Sequence, residues 1–243
     1  MSGGLAGSIH TTTLGTGADT VTDGTAGTSN ISVTGASGVA ESVTANAAAS
    51  VTFSLGDSNN TVSALAATTV SITAGNGTNS ITATAAGAAG SITVGTGQNT
   101  IVTGASGALS ISLGSHTAVD AITVGANASS SAISSITGIA AGDTISFAGD
   151  AGMSGSSGVV GITSGEVTAN SGDTSLLADW VSASLANLAQ HQVGTFVFGG
   201  NTFLVEQSAS GNAQTLTGDT VIELIGTHSE TGAVVLSHAL TVA

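Results

Sequence analysis

The chain contains no cysteine, no proline and no lysine or arginine in 243 residues, and aromatic side chains make up only 2% of it. Without cysteine there are no disulfides, no thiol catalysis and no cysteine-held zinc or iron–sulfur centre. Without lysine or arginine, the 14 Asp and Glu residues give a formal charge of −14 with only five histidines as internal partners. Binding to nucleic acid through phosphate neutralisation is thereby excluded. Scarce aromatics, and a 41% hydrophobic share rich in alanine, predict a thin and regular core. Disordered chains are rich in proline and charge, whereas this one has no proline and 6% charged residues, so order is expected. No apolar run reaches the length of a membrane-spanning helix, so no membrane insertion is expected. Residues 1–10 carry neither a basic n-region nor an apolar h-region, and a Sec-type signal is not expected there.

What the chain does contain is a returning phrase. It reads Leu14-Gly-Thr-Gly-Ala-Asp-Thr-Val21, Leu55-Gly-Asp-Ser-Asn-Asn-Thr-Val62, Ala74-Gly-Asn-Gly-Thr-Asn-Ser-Ile81 and Val94-Gly-Thr-Gly-Gln-Asn-Thr-Ile101. From Gly56 onward the copies fall about 20 residues apart, which is the period of a solenoid repeat. Large apolar anchors recur roughly every 10 residues between them, and period-two alternation flanks several, as in Phe53-Ser-Leu55 and Ile92-Thr-Val94. Two strand types and two turn types per repeat describe a two-faced coil. The fold class expected is therefore mainly β, a parallel β-roll or β-helix solenoid of about 20 residues per coil over residues 1–132. An antiparallel barrel or sandwich is the alternative that short strands at this spacing also allow.

Residues 133–243 read as a β-rich C-terminal region with one amphipathic helix at about 174–190. Leu176, Leu177, Trp180, Leu185 and Leu188 recur there at helical spacing after the start signal Asn170-Ser-Gly-Asp-Thr174. This helix is expected to cover the open end of the stack. A hairpin about Gly199-Gly200-Asn201 and two further strands follow.

Asp19, Asn60, Asn79 and Asn99 occupy one register position, so stacking places them about 4.8 Å apart. Carboxylates at that spacing repel by roughly 1 kcal/mol per pair unless a cation lies between them. Two readings stay open: calcium held at Asp19, Asp23, Asp57, Asn60, Asn79, Asn99 and Asp120, or an asparagine ladder that needs no metal. The histidines show no metal-ligand spacing and read as structural or surface residues. No nucleophile elbow and no carboxylate pair is evident, so an enzyme is not expected.

The phrases Gly15-Thr-Gly-Ala-Asp-Thr-Val21 and Gly95-Thr-Gly-Gln-Asn-Thr-Ile101 resemble degenerate copies of the glycine- and aspartate-rich nonapeptide repeat of RTX proteins. The resemblance implies a parallel β-roll, calcium held by turn aspartates and backbone carbonyls, and export by type I secretion machinery. The motif aspartate carries over to Asp19; Asn60, Asn79 and Asn99 depart from it. Residues 136–243 are similar to the C-terminal region of RTX-type surface-layer proteins, which implies an export signal there. The function expected is a secreted structural protein, extracellular or at the cell surface, that polymerises with itself into a filament, matrix or surface layer. Calcium would assist assembly, and cell-surface polysaccharide would be a further partner. A secreted binding module, either a glycan adhesin or an ice-binding solenoid, is the alternative. A calcium-binding accessory region of a secreted enzyme is a weaker third reading, since no catalytic segment is seen before the repeats.

Overall fold

In the computed structural model of the chain, the described residues are 9–23, 30–104, 107–126, 132–148, 156–158, 160–161, 176–207, 219–228, 234–236 and 239–242. A shaft begins with β1 (Ile9–Thr13), β2 (Thr20–Asp23), β3 (Asn30–Thr34), β4 (Ser42–Ala45), β5 (Ser50–Leu55), β6 (Thr61–Ser63) and β7 (Thr69–Ala74). It continues through β8 (Ser80–Ala83), β9 (Ala89–Val94), β10 (Thr100–Thr103), β11 (Leu109–Ser112), β12 (Ala121–Val124), β13 (Ser134–Thr137) and β14 (Thr144–Phe147). Odd-numbered strands pair in parallel to form one wall and even-numbered strands form the other. The solenoid expectation holds, and the barrel alternative does not.

Register follows the anchors. On the first wall Val33, Phe53, Ile72, Ile92, Ile111 and Ile136 stack in one column. On the second wall Val21, Val43, Val62, Ile81, Ile101, Ile122 and Ile145 do the same. Both columns point inward and share one core. Each such side chain contributes about 1.5–3 kcal/mol by leaving water. A one-residue slip of any strand would turn its column outward, so these columns also fix the register. The core narrows at one corner, where Ala48, Ala67 and Ala88 are all fully buried.

The parallel stacking runs on through β13 and β14, past residue 132 where the sequence reading ends the solenoid. A C-terminal cap follows, comprising β15 (Ser156–Gly158), β16 (Val160–Gly161), α1 (Leu177–Asn187), β17 (Gln192–Phe198), β18 (Asn201–Gln207), β19 (Thr220–Leu224), β20 (Val234–Leu236) and β21 (Ala239–Thr241). β19 extends the first wall beside β13, and β18 and β17 add to it antiparallel. On the second wall β21 pairs antiparallel with β14. The hairpin turn consists of Gly199 and Gly200, with φ of 62° and 86°, as a two-residue turn with both central residues left-handed requires.

The helix is shorter than the sequence implies, at 11 residues, and Leu176 supplies no side-chain cap. Residues 170–174, read as its start signal, lie outside the described residues, as do 174–175 of the expected span. The helix lies against β17 and β18. There Val181, Leu185 and Leu188 pack with Phe196, Phe203, Val205 and Val221 in a second, smaller core. The edges of the last coil are paired by β19 and β21, and Ile133, just before β13, packs against the cluster that contains the helix. Strands satisfy an open sheet edge because they supply the matching backbone donors and acceptors, whereas a helix has already used its own.

Candidate functional site

One corner of every coil carries a polar side chain two residues before the second-wall anchor. Down the stack these are Asp19, Glu41, Asn60, Asn79, Asn99, Asp120 and Asp143. All but Asp19 are no more than 1% exposed. Successive members are 22, 19, 19, 20, 21 and 23 residues apart, so this column tolerates coils of unequal length.

In each step a side-chain oxygen accepts the backbone N–H of the preceding member. Asp19 N–H donates to Glu41 Oε2 at 3.1 Å, and Glu41 N–H to Asn60 Oδ1 at 3.2 Å. Asn60 N–H donates to Asn79 Oδ1 at 3.2 Å, and Asn79 N–H to Asn99 Oδ1 at 3.4 Å. Asn99 N–H donates to Asp120 Oδ1 at 2.6 Å, and Asp120 N–H to Asp143 Oδ1 at 2.8 Å. The three asparagines add a second strand of bonds. Nδ2 of Asn60, Asn79 and Asn99 donates to the next member at 3.0, 2.9 and 3.1 Å. Each Nδ2 also donates to carbonyls of its own turn, as Asn79 does to Gly75 and Gly77. Asn79 and Asn99 thus use both acceptor positions of Oδ1 within the ladder.

Close stacking of the turns demands glycine. A Cβ on Gly97 would stand 1.9 Å from the Gly77 carbonyl oxygen, and one on Gly95 would stand 2.5 Å from Asn76 Oδ1.

The residues named from the sequence as calcium ligands are not gathered into one place. Asp19, Asn60, Asn79, Asn99 and Asp120 share the buried ladder. Asp57 belongs to an exposed neighbouring column, where its Oδ1 accepts from Asn76 N–H at 2.8 Å. Asp23 ends β2, beside Ala45. Sequence reading missed Glu41 and Asp143, although both sit two residues before an anchor valine or isoleucine, as Asn60 and Asn79 do. It also gave His116 a plain structural role.

His116 belongs to a turn that departs from the repeat. Gly114 lies over Gly95, but Gly95 to Asn99 takes four steps of chain and Gly114 to Asp120 takes six. In that longer turn the His116 ring is 1% exposed, against Asp120 and Asp143 at 0% and 1%. Its Nδ1 contacts the Gly114 carbonyl, which only accepts, so Nδ1 carries hydrogen. Nε2 lies 3.2 Å from both carboxylate oxygens of Asp143 and 3.5 Å from Asp120 Oδ2. Both carboxylates form ion pairs with His116 when its ring is protonated. Asp143 is further held by Ala140 N–H at 2.8 Å, whereas Asp120 Oδ2 accepts no hydrogen bond.

Burial lowers the His116 pKa, but the Gly114 carbonyl, the Asp143 bond and the two carboxylate charges outweigh it, so the value stands above the ordinary one. Burial raises the Asp120 pKa, helped by the Asp143 charge and opposed by the Asn99 bonds and His116.

Fold and corner together define a two-walled β-solenoid whose coils are tied by a buried side-chain ladder, ending in a histidine–carboxylate cluster. No protein-family model matches the chain, and no curated protein matches it.

Proposed function

We propose that this is a secreted structural protein that assembles with copies of itself into an extracellular filament, matrix or surface layer, with calcium assisting. The observation that carries this reading is the end of the shaft formed by β1 and β2. β1 and β2 are the outermost strands of their walls among the described residues. Ile9 on β1 is 69% exposed. A strand at the edge of a sheet is a template for pairing with another chain, and a second copy docked there would continue the stacking used by every coil. With no lysine or arginine, two such copies repel, and a divalent cation between carboxylates reduces that repulsion. In this reading calcium acts at carboxylates, because Asn79 and Asn99 already use their side-chain oxygens in the ladder. Extracellular placement and export by type I machinery rest on the sequence resemblance, and no catalytic activity is part of the proposal.

Electron microscopy of the purified chain, with calcium and with chelator, tests it. Filaments, sheets or a lattice are expected with calcium, and Ile9→Lys is expected to suppress them without lowering the melting temperature. Monodisperse monomers under both conditions reject the proposal.

A binding module remains the second reading, on one observation. Thr52, Ser71 and Ser91, and likewise Ser54, Thr73 and Thr93, form two exposed hydroxyl rows in register on the first wall. Such rows suit a glycan or an ice surface. Glycan-array binding or thermal hysteresis by a protein that stays monomeric would favour it.

A further inference from the structure

The geometry points to a divalent transition-metal site of the zinc class, built by His116 Nε2, Asp120 Oδ2 and Asp143 Oδ2, where the shaft hands over to the cap. Assembly plays no part in this inference, which concerns the interior of a single chain.

The ring orientation is the first support. Because Nδ1 donates to the Gly114 carbonyl, a neutral His116 aims the Nε2 lone pair at two carboxylates. Lone pairs facing one another without a cation or proton between them repel. A backbone carbonyl holding the far nitrogen is also how metal-binding histidines are commonly oriented, since it fixes the tautomer that leaves the other nitrogen free to coordinate.

Asp120 supplies the second, independent observation. Its side chain is 0% exposed, its Oδ1 takes both Asn99 bonds, and its Oδ2 accepts no hydrogen bond while lying 3.5 Å from His116 Nε2. A buried carboxylate oxygen without a donor is costly, and a metal ion removes the deficit.

Charge balance agrees. Two buried carboxylates face one imidazole in a chain that has no lysine or arginine. Even a protonated His116 leaves one negative charge over, whereas a divalent ion with neutral imidazole leaves none.

The distances fit a small ion. Bonds of about 2.0–2.1 Å in tetrahedral array put neighbouring ligand atoms about 3.3–3.4 Å apart. The histidine nitrogen lies 3.2 and 3.5 Å from the two carboxylates, and all three donor atoms lie within 4.8 Å of one another. One nitrogen and two oxygens suit zinc and its neighbours, leaving a fourth position for water. Calcium is poorly served, since it takes six to eight oxygens at about 2.3–2.6 Å. A bound ion would join the Gly114–Asp120 turn to the Asp143 turn, at the coil whose strand β14 pairs parallel with β12 and antiparallel with β21.

Isothermal titration of the chelator-stripped full chain with zinc and with calcium tests the site, with cobalt absorption as a report on geometry. Two variants accompany it. His116→Gln removes the nitrogen donor. Asp120→Asn installs the residue the ladder carries at Asn60, Asn79 and Asn99, so it preserves the fold while weakening the site. The expected result is one zinc per chain in the wild type, not displaced by equimolar calcium. Affinity should fall at least tenfold in each folded variant, and the intense visible bands of tetrahedral cobalt should be lost in His116→Gln. Should His116→Gln fail to fold by circular dichroism, Asp120→Asn alone decides. Absence of a one-to-one zinc site in the wild type overturns the inference. So does zinc affinity unchanged in folded Asp120→Asn, or equal competition by calcium.

Discussion

Asn79 Nδ2 donates to Asn99 Oδ1 across 2.9 Å from one coil to the next, and the Asn79 backbone N–H approaches the same oxygen at 3.4 Å. One amide therefore binds two coils while its nitrogen also satisfies the Gly75 and Gly77 carbonyls of its own turn. A carboxylate in this place accepts but does not donate. Asn79→Asp would set its oxygens against Asn99 Oδ1 and two carbonyls in a fully buried site, at a cost of about 2–4 kcal/mol. Urea denaturation should show the loss, and a variant as stable as wild type would mean that the ladder contributes nothing.

Gly17 and Gly97 hold the same place in two copies of the repeated phrase, yet they should respond oppositely to alanine. The added Cβ meets nothing within 4 Å at Gly17 but lies 1.9 Å from the Gly77 carbonyl oxygen at Gly97. Gly17→Ala should change stability by less than about 0.5 kcal/mol. Gly97→Ala should cost about 3 kcal/mol through backbone overlap between coils. Paired melting curves check this, and equal behaviour would contradict the tight stacking of the inner turns.

Chelated protein should lose stability as the pH rises. His116 and Asp120 both hold their protons more tightly folded than unfolded, so in the affected range the native chain binds more protons and stability falls with pH. For His116 the contribution is complete below its ordinary value of 6.5 and is lost as pH climbs through the raised folded value; for Asp120 the window opens at 3.8. In chelator the melting temperature should therefore drop as the pH rises above the ordinary His value of 6.5, and His116→Gln should flatten that drop. Asp120 and Asp143 are the charged groups that set the His116 shift, so a wild-type curve that is flat or rising would contradict the cluster geometry.

The single tryptophan gives the cap its own reporter. Trp180 stacks on Phe196 with ring centroids 5.3 Å apart, and Phe196 stacks in turn on Phe203 at the same distance. Phe196→Ala should cost about 3–5 kcal/mol and shift Trp180 emission to the red. Far-UV circular dichroism from the shaft should change much less, because Phe196 belongs to a second cluster and not to the core that runs down the shaft. Coincident loss of both signals would mean that shaft and cap unfold as one unit.

The sequence by itself determined the shaft. Apolar anchors near every tenth residue and glycine turns near every twentieth favour a stack of two-walled coils over a barrel or sandwich, because period-two burial and turn spacing are local properties written in adjacent residues. It also showed Asn60, Asn79 and Asn99 in a single column. Even Glu41 and Asp143 were legible from their place two residues before Val43 and Ile145, although unequal coil lengths hide them from a search at fixed spacing.

Tertiary structure alone decided what the polar column does. Whether an amide oxygen faces a cation or the preceding coil's N–H depends on how closely the turns approach, and that is set by packing across the whole stack. Only the fold, likewise, brings His116 against Asp143, which lies 27 residues further along the chain. Nothing in their spacing announces the pair, because the contact arises from a lengthened turn lying over the next coil.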